Sequence, residues 1–308
     1  MLTAVIKFIS ALGTEALYIP LILLIFWLID EKRGLRLGIL VIVSAWVNLM
    51  LKALLKQPRP YNLDPSLGLA FESTYGAPSG HAQNSFTFWI LMAVWLSALW
   101  PRRKSLVYGA VIFFIVLMGF TRLYLGVHFP TDLLLGWLTA GIILIIWFFI
   151  EKKLDRIGEP RQELTGFRKI IASMGSRFQN ILTAVAALIM TSLYPQDQSF
   201  AALFLGFCLG YTLMKQRFPF SAKGEVQGTR PGLRIIFLRC LTGFTGIAAI
   251  YLLLKLLLPG EGSLFSNSSI WGSASPYSDL GRFIRYGLIG FWASAGAPWL
   301  FRRIGLAE

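Results

Sequence analysis

TDLLLGWLTAGIILIIWFFI, residues 131–150, decides the fold of this 308-residue chain. Asp132 stands at its second position, and no charged side chain follows through Ile150. A helix crosses a bilayer with roughly 17–25 such residues. Similar apolar blocks recur at 14–30, 35–56, 80–100, 105–127, 179–195, 199–215, 232–258 and 280–300, which predicts nine spans. The composition agrees: 56% of residues are hydrophobic and 14% charged, against about 25% charged in soluble domains. The expected fold class is all-α, a polytopic membrane helix bundle. The first dozen residues, with Lys7 as their only charge, read as a short interfacial helix. Nothing there reads as a cleavable leader.

The net charge is +14. No basic, aromatic-interleaved soluble segment is present to carry a nucleic acid, so that partner is excluded. The charge reads as topology. With the N-terminus outside, the inner segments are 31–36, 101–104, 151–178, 215–234 and the C-terminal tail. They hold 3, 3, 7, 5 and 2 Lys and Arg residues, or 20 of the 29. The outer connections 195–198 and 259–279 hold none. This asymmetry is the positive-inside pattern, with the C-terminus inside. The polar stretch 151–178 divides the chain into a first part, 1–150, and a four-span extension, 179–308, joined by a cytoplasmic linker. Cys208 and Cys240 lie in apolar runs and suggest neither a metal site nor a redox pair.

Lys52, Lys56, Arg59 and Arg122 break the rule by lying on the outer side, so a different requirement must hold them there. Three segments share that face. Lys52 and Arg59 close the second span, with Pro58 and Pro60 bracketing Arg59 and preventing helix around it. Pro78-Ser79-Gly80-His81 opens the third span, where Ser79 is a preferred N-cap and the free N–H groups of a first turn bind anions. Arg122, His128 and Asp132 join the fourth span to the fifth. His81 and His128 are the only two histidines in the chain. Lys52, Arg59, Ser79, Gly80 and Arg122 suit a phosphoryl group, and their charges require no metal.

His128 and Asp132 are four residues apart, near neighbours around a helical start at Pro130. A carboxylate beside an imidazole orients it and stabilises the charge that develops as the other nitrogen attacks. His128 is therefore the expected nucleophile, Asp132 its partner, and His81 the acid that protonates the leaving oxygen. Acid help of this kind is worth roughly 10²–10⁴ in rate. Asp64 and Glu72, between the first two segments, have two readings: carboxylates that discriminate headgroups by repelling extra negative charge, or, the simpler one, solvated loop residues.

These segments resemble the three signature motifs of the type 2 phosphatidic acid phosphatase (PAP2) superfamily. That group includes lipid phosphate phosphatases, bacterial undecaprenyl-diphosphate and phosphatidylglycerophosphate phosphatases, glucose-6-phosphatase and vanadium haloperoxidases. The matching positions are Lys52, Arg59 and Pro60; then Pro78, Ser79, Gly80 and His81; then Arg122, His128 and Asp132. Thr121 stands where Ser is common. The resemblance covers about residues 14–150. It implies metal- and cofactor-independent hydrolysis of a lipid phosphomonoester or diphosphate through phosphohistidine, with the roles given above. The short loops and compact spans suggest a bacterial inner membrane, and the place of the three segments at the outer ends of spans two to five suggests a site facing outward. Tyr75 to Ala82 also looks like the second motif of sphingoid-base phosphate and dolichyl-diphosphate phosphatases. Phosphatidic acid, phosphatidylglycerophosphate, undecaprenyl diphosphate and sphingoid-base phosphates all fit.

Two rival functions differ in what they predict. A lipid phosphotransferase would yield a new phosphorylated lipid rather than free phosphate. A lipid transporter would need broken helices in the last four spans. In that region Gly206 and Gly210, then Gly290, Ser294 and Pro298, read as packing signals. Arg239 reads as snorkelling to the cytoplasmic surface, and Lys255, Arg282 and Arg285 as anchors at span ends. Asn267-Ser268-Ser269 is a glycosylation sequon.

Overall fold

The structure, a computed structural model, describes residues 1–157, 167–224, 231–260, 262–264, 271–272 and 275–307. The sequon at 267–269 lies outside them. Among the described residues all regular structure is helical, the form in which a backbone satisfies its own polar groups inside lipid. Helix α1 is Leu2–Ala11 and α2 is Glu15–Leu24, which continues as a π-helical turn, Ile25–Ile29. Next come α3, Glu31–Leu55; α4, Pro60–Leu63; α5, Gly80–Leu99; α6, Lys104–Tyr124; and α7, Pro130–Ile157. The remainder is α8, Phe167–Leu193; α9, Ser199–Arg217; α10, Leu233–Leu257; α11, Ser278–Phe291; and α12, Ala297–Arg303.

Among the described residues five helical segments are long and apolar enough to cross a membrane: Glu31–Leu63, Gly80–Leu99, Pro101–Tyr124, Pro130–Lys152 and Leu233–Leu257. Leu2–Ala11 and Glu15–Ile29, bent by 42°, make a sixth if taken as one span. The other three expected spans are helical but less simple. Helix α8 is broken at Gly175, with φ at 62°. Helix α9 ends in Lys215-Gln216-Arg217. The last expected span is divided into α11 and α12 by a π-helical turn at Trp292–Gly296.

The chain forms two compact units, and two of the three boundaries between them along the chain fall inside α2 and α3. One comprises Met1–Pro20 and Val43–Glu159. In it α5 packs on α6 and α7, and α1 packs on α6. Ala93, Val111 and Ile115 form an apolar cluster against Trp89 and Trp137. Ile6 of α1 joins Tyr61, Leu125 and Val127 in a second cluster, while Leu2, Val5 and Phe8 on the same helix are exposed. An amphipathic helix of this kind suits an interface.

The other unit comprises Leu21–Ile42 and Pro160–Glu308. In it α9 packs on α8 and α11. Small residues allow the close approach: a Cβ on Gly206 would lie 1.9 Å from the Gly287 carbonyl oxygen, and one on Gly210 would lie 2.2 Å from Ser294 Oγ. Arg239 does not snorkel. It is 1% exposed and donates to the carbonyls of Leu306 (3.0 Å), Trp27 (3.1 Å) and Ala222 (3.0 Å). Three carbonyls together with the Phe220 ring, 5.4 Å away, solvate the guanidinium inside the unit. Arg282 approaches Asp197 at 3.8 Å, and Arg285 lies over the Tyr251 ring. Cys208 is buried and Cys240 half-buried, and both are free thiols.

Gly206→Ala should therefore destabilise the protein by about 1–3 kcal/mol, the cost of overpacking, and lower the thermal midpoint in detergent. Gly141→Ala, whose new Cβ meets nothing within 4 Å, is the matched control and should leave the midpoint unchanged.

Candidate active site

Lys52 lies in the last turn of α3. Lys56 ends that helix in the left-handed region, with φ at 49°. Arg59 is extended (φ −89°, ψ 160°) and precedes Pro60, the first residue of α4. The Arg59 N–H donates to Asn62 Oδ1 at 2.8 Å, so the backbone that carries the guanidinium is fixed. The Arg59 side chain is 1% exposed. Its Nε donates to Thr74 O (2.8 Å), Nη1 to Val127 O (2.9 Å) and Nη2 to Tyr75 O (3.0 Å). Lys52 Nζ donates to the carbonyls of Tyr75 and Gly76. Both cations thus take their positions from the loop before the second motif.

That loop docks on the turn before His128, where the Leu69 N–H donates to Leu125 O at 3.1 Å. The turn requires Gly126. Its φ is 67°, and a Cβ there would lie 1.8 Å from Leu67 O. Ser79 is the N-cap of α5, and its hydroxyl accepts from the Ala82 N–H at 3.4 Å. The Ser79 N–H donates to Asp132 O at 2.9 Å, which ties the second motif to the third by backbone.

Behind Ser79 lies a buried polar ladder that the sequence reading missed. Asn48 Nδ2 donates to Pro78 O (3.2 Å) and to Gln83 Oε1 (2.9 Å). Gln83 Nε2 donates to Ser44 O (2.7 Å), and Ser44 Oγ to Asn84 Oδ1 (2.9 Å). The signal was present in the sequence. Ser44, Asn48 and Lys52 recur every four residues and so share one face of α3.

His128 is buried, and its Nδ1 lies 3.2 Å from Asp132 Oδ2. The same oxygen accepts from the Phe129 N–H at 2.9 Å. His128 Nε2 lies 3.2 Å from Arg59 Nη1. A guanidinium only donates, so Nε2 accepts and Nδ1 carries the proton toward Asp132. The tautomer follows from this network, and it leaves the Nε2 lone pair on the side of the cations. Burial pushes the His128 pKa down, the Asp132 hydrogen bond raises it, and neighbouring Arg59, Lys52 and Arg122 lower it, to about 4. The ring is neutral at neutral pH.

Glu72 is not a solvated loop residue. Its Oε2 pairs with Arg59 Nη2 at 2.7 Å and lies 4.0 Å from His128 Nε2, while Oε1 accepts from Arg122 Nη2. Burial pushes its carboxyl up, but Arg122 and Arg59 outweigh that and hold its pKa at about 2. Arg122 Nη1 also donates to Ser10 Oγ of α1 at 2.6 Å. Asp64 does remain exposed, and its carboxylate accepts from the N–H and hydroxyl of Ser66. Lys52, Arg59, Arg122, His128 and Asp132 therefore converge. His81 is half-buried in the first turn of α5, and among the described residues no hydrogen bond joins it to His128 or Asp132. A Cβ on Gly13 would lie 3.1 Å from His81 Cδ2, so the N-terminal segment passes beside that ring.

The PAP2 superfamily model matches residues 33–156, and the model of the PAP2 superfamily phosphatase transmembrane extension matches residues 198–308. The chain belongs to the PAP2 superfamily. It is a membrane lipid phosphatase of that group. Phosphatidylglycerophosphatase B of Bacillus subtilis is 32% identical over 50% of this chain and 75% of its own length. An undecaprenyl-diphosphatase of Sulfolobus acidocaldarius is 31% identical over 49% of this chain and 71% of its own length. Sphingosine-1-phosphate phosphatase 2 of Homo sapiens is 31% identical over 47% of this chain and 38% of its own length. No solved structure matches the chain at a significant level.

With two histidines in the chain, histidine-labelled protein in micelles gives two sets of ring resonances, assigned with His128→Gln. His128 should show the Nδ1–H tautomer at neutral pH and titrate near pH 4. An Nε2–H tautomer, or titration near the ordinary 6.5, contradicts the geometry.

Proposed function

We propose that the chain hydrolyses a phosphomonoester or diphosphate on a lipid through a phosphohistidine at His128. The observation that carries this is the pairing of His128 Nδ1 with Asp132 while Nε2 faces Arg59. In the first step Nε2 attacks phosphorus, the N–P bond forms, and the bond from phosphorus to the lipid oxygen breaks. His81 gives that oxygen a proton. In the second step water attacks phosphorus, the N–P bond breaks, and His81 takes the water's proton. The proton stays on Nδ1 throughout, and the Asp132 carboxylate that accepts its hydrogen bond stabilises the positive ring of the intermediate. Lys52, Arg59, Arg122, the Ser79 hydroxyl and the Gly80 N–H hold the equatorial oxygens as charge shifts among them. Those cations supply the neutralisation a metal would otherwise provide.

Residues 1–150 form the catalytic core in this account, 151–178 the cytoplasmic linker, and 179–308 the four-span extension. The charge asymmetry of the connections supports an outside N-terminus and an inside C-terminus, in a bacterial inner membrane with the site on the periplasmic side. Exposed Leu2, Val5 and Phe8 on α1, with Phe71 beside Glu72, support a site that meets its substrate at a lipid surface. The relatives' names favour phosphatidylglycerophosphate, undecaprenyl diphosphate or a sphingoid-base phosphate as substrate.

Detergent-purified protein should release phosphate from at least one of these lipids or phosphatidic acid in the presence of EDTA. His128→Ala should reduce that release by at least about 10³-fold, the scale of losing a nucleophile. Release unchanged in His128→Ala, or phosphate found only on a second lipid, contradicts the hydrolytic reading.

A further inference from the structure

Glu72 occupies the place where the proposed reaction needs a phosphoryl group. Its two carboxylate oxygens take a donor from Arg59 and a donor from Arg122, and one of them lies 4.0 Å from His128 Nε2. We propose that the Glu72 carboxylate is a built-in occupant of the phosphate cradle, and that a lipid phosphate binds by displacing it. This rests on the phosphatase reading above.

Three observations carry the inference. First, the cradle does not need Glu72 to exist. Arg59 is held by the carbonyls of Thr74, Tyr75 and Val127, and Arg122 keeps Ser10 Oγ as a second partner. Second, only the Glu72 side chain has to move. The Tyr61 hydroxyl donates to Glu72 O at 2.8 Å and accepts from the Glu72 N–H at 3.1 Å, which pins the backbone on both sides. The side chain is 28% exposed, whereas those of Arg59 and Arg122 are 1% and 5% exposed. A χ rotation therefore takes the carboxylate to solvent while the arginines stay in place. Third, the charges favour the exchange. Two guanidiniums face one carboxylate, and a phosphate carrying about two negative charges at neutral pH balances both.

The exchange sets an affinity threshold. Any discrimination between anions comes from the two guanidiniums themselves, which a phosphate carrying about two negative charges balances better than a monoanionic lipid or fatty acid does. The threshold lowers apparent affinity for every anion by the fraction of time the cradle stands open.

The test uses full-length protein in detergent and inorganic phosphate, the reaction's own product, as the probe. Isothermal titration should find orthophosphate bound at least about tenfold more tightly by Glu72→Gln than by wild type, since the open fraction rises toward one. Glu72→Asp keeps the charge but shortens the reach from a pinned backbone, and it should tighten binding by a smaller factor. Thermal midpoints establish that both variants are folded. Equal affinity in all three proteins overturns the proposal. So does weaker binding in both variants, which would make Glu72 an organiser of the arginines rather than their occupant. Phosphate release from lipid by wild type, measured alongside, separates the two claims. Release together with unchanged orthophosphate affinities removes only the role of Glu72. Absence of release removes the phosphatase reading, and the orthophosphate titrations still decide whether Glu72 fills the cradle.

Discussion

Placing guanidiniums in the interior of a helical membrane protein is the constraint on which this architecture turns. An unpaired buried charge costs several kcal/mol, so each cation must be surrounded before it can act on a ligand. Arg59 meets that demand with three backbone carbonyls drawn from the loop at 74–75 and the turn at 127. Those bonds fix where the loop runs and where His128 stands. The cation proposed to serve the reaction also ties together the segments that form the candidate site, so one side chain settles the loop geometry and the place of His128. In the second unit Arg239 shows the same physics without the chemistry: three carbonyls surround it, and its work is to hold chain segments together.

The site follows from that frame. Because Arg59 can only donate, its contact with His128 selects the tautomer whose free lone pair is on Nε2. Asp132 accepts from the opposite nitrogen and from the Phe129 backbone, so the ring has one orientation. The polar ladder from Ser44 through Asn48 to Gln83 holds the Pro78 carbonyl, and hence the start of α5 with its Ser79 cap. Each component is neutral or cationic toward the ligand, with one exception in Glu72. Its carboxylate pairs with both Arg59 and Arg122 and so offsets the repulsion between the two guanidiniums.

Five of the nine expected spans, or six with the bent pair, were legible because bilayer crossing demands long apolar runs, whereas the helices over 179–195, 199–215 and 280–300 fall short of that measure among the described residues. The residues of the candidate site were legible because basic side chains at Lys52, Arg59 and Arg122 contradict the charge rule for that face, and the only two histidines lie in the same segments. The pairing of Glu72 with Arg59 and Arg122 was not legible. A single acidic residue in a polar loop carries no periodicity, and its importance arises from a hydrogen bond between its backbone and Tyr61, eleven positions away. Arg239 was misread for a related reason. Distance along a helix suggests snorkelling, whereas the carbonyls that hold it come from Trp27, Ala222 and Leu306, remote in sequence. Asn48 and Gln83 were hidden because single polar residues inside apolar runs change the mean hydropathy little. The spacing of Ser44, Asn48 and Lys52 was the cue that a face-by-face reading would have used.

The central claim is that His128 Nε2 becomes covalently bonded to phosphorus. Rapid denaturing quench of the protein during turnover of a lipid labelled in its phosphoryl group, followed by peptide mapping, tests this directly. The account predicts a label that is acid-labile and base-stable, located on the peptide containing His128 and absent in His128→Ala. A label on His81, or turnover with no protein-bound phosphoryl group at any quench time, contradicts it.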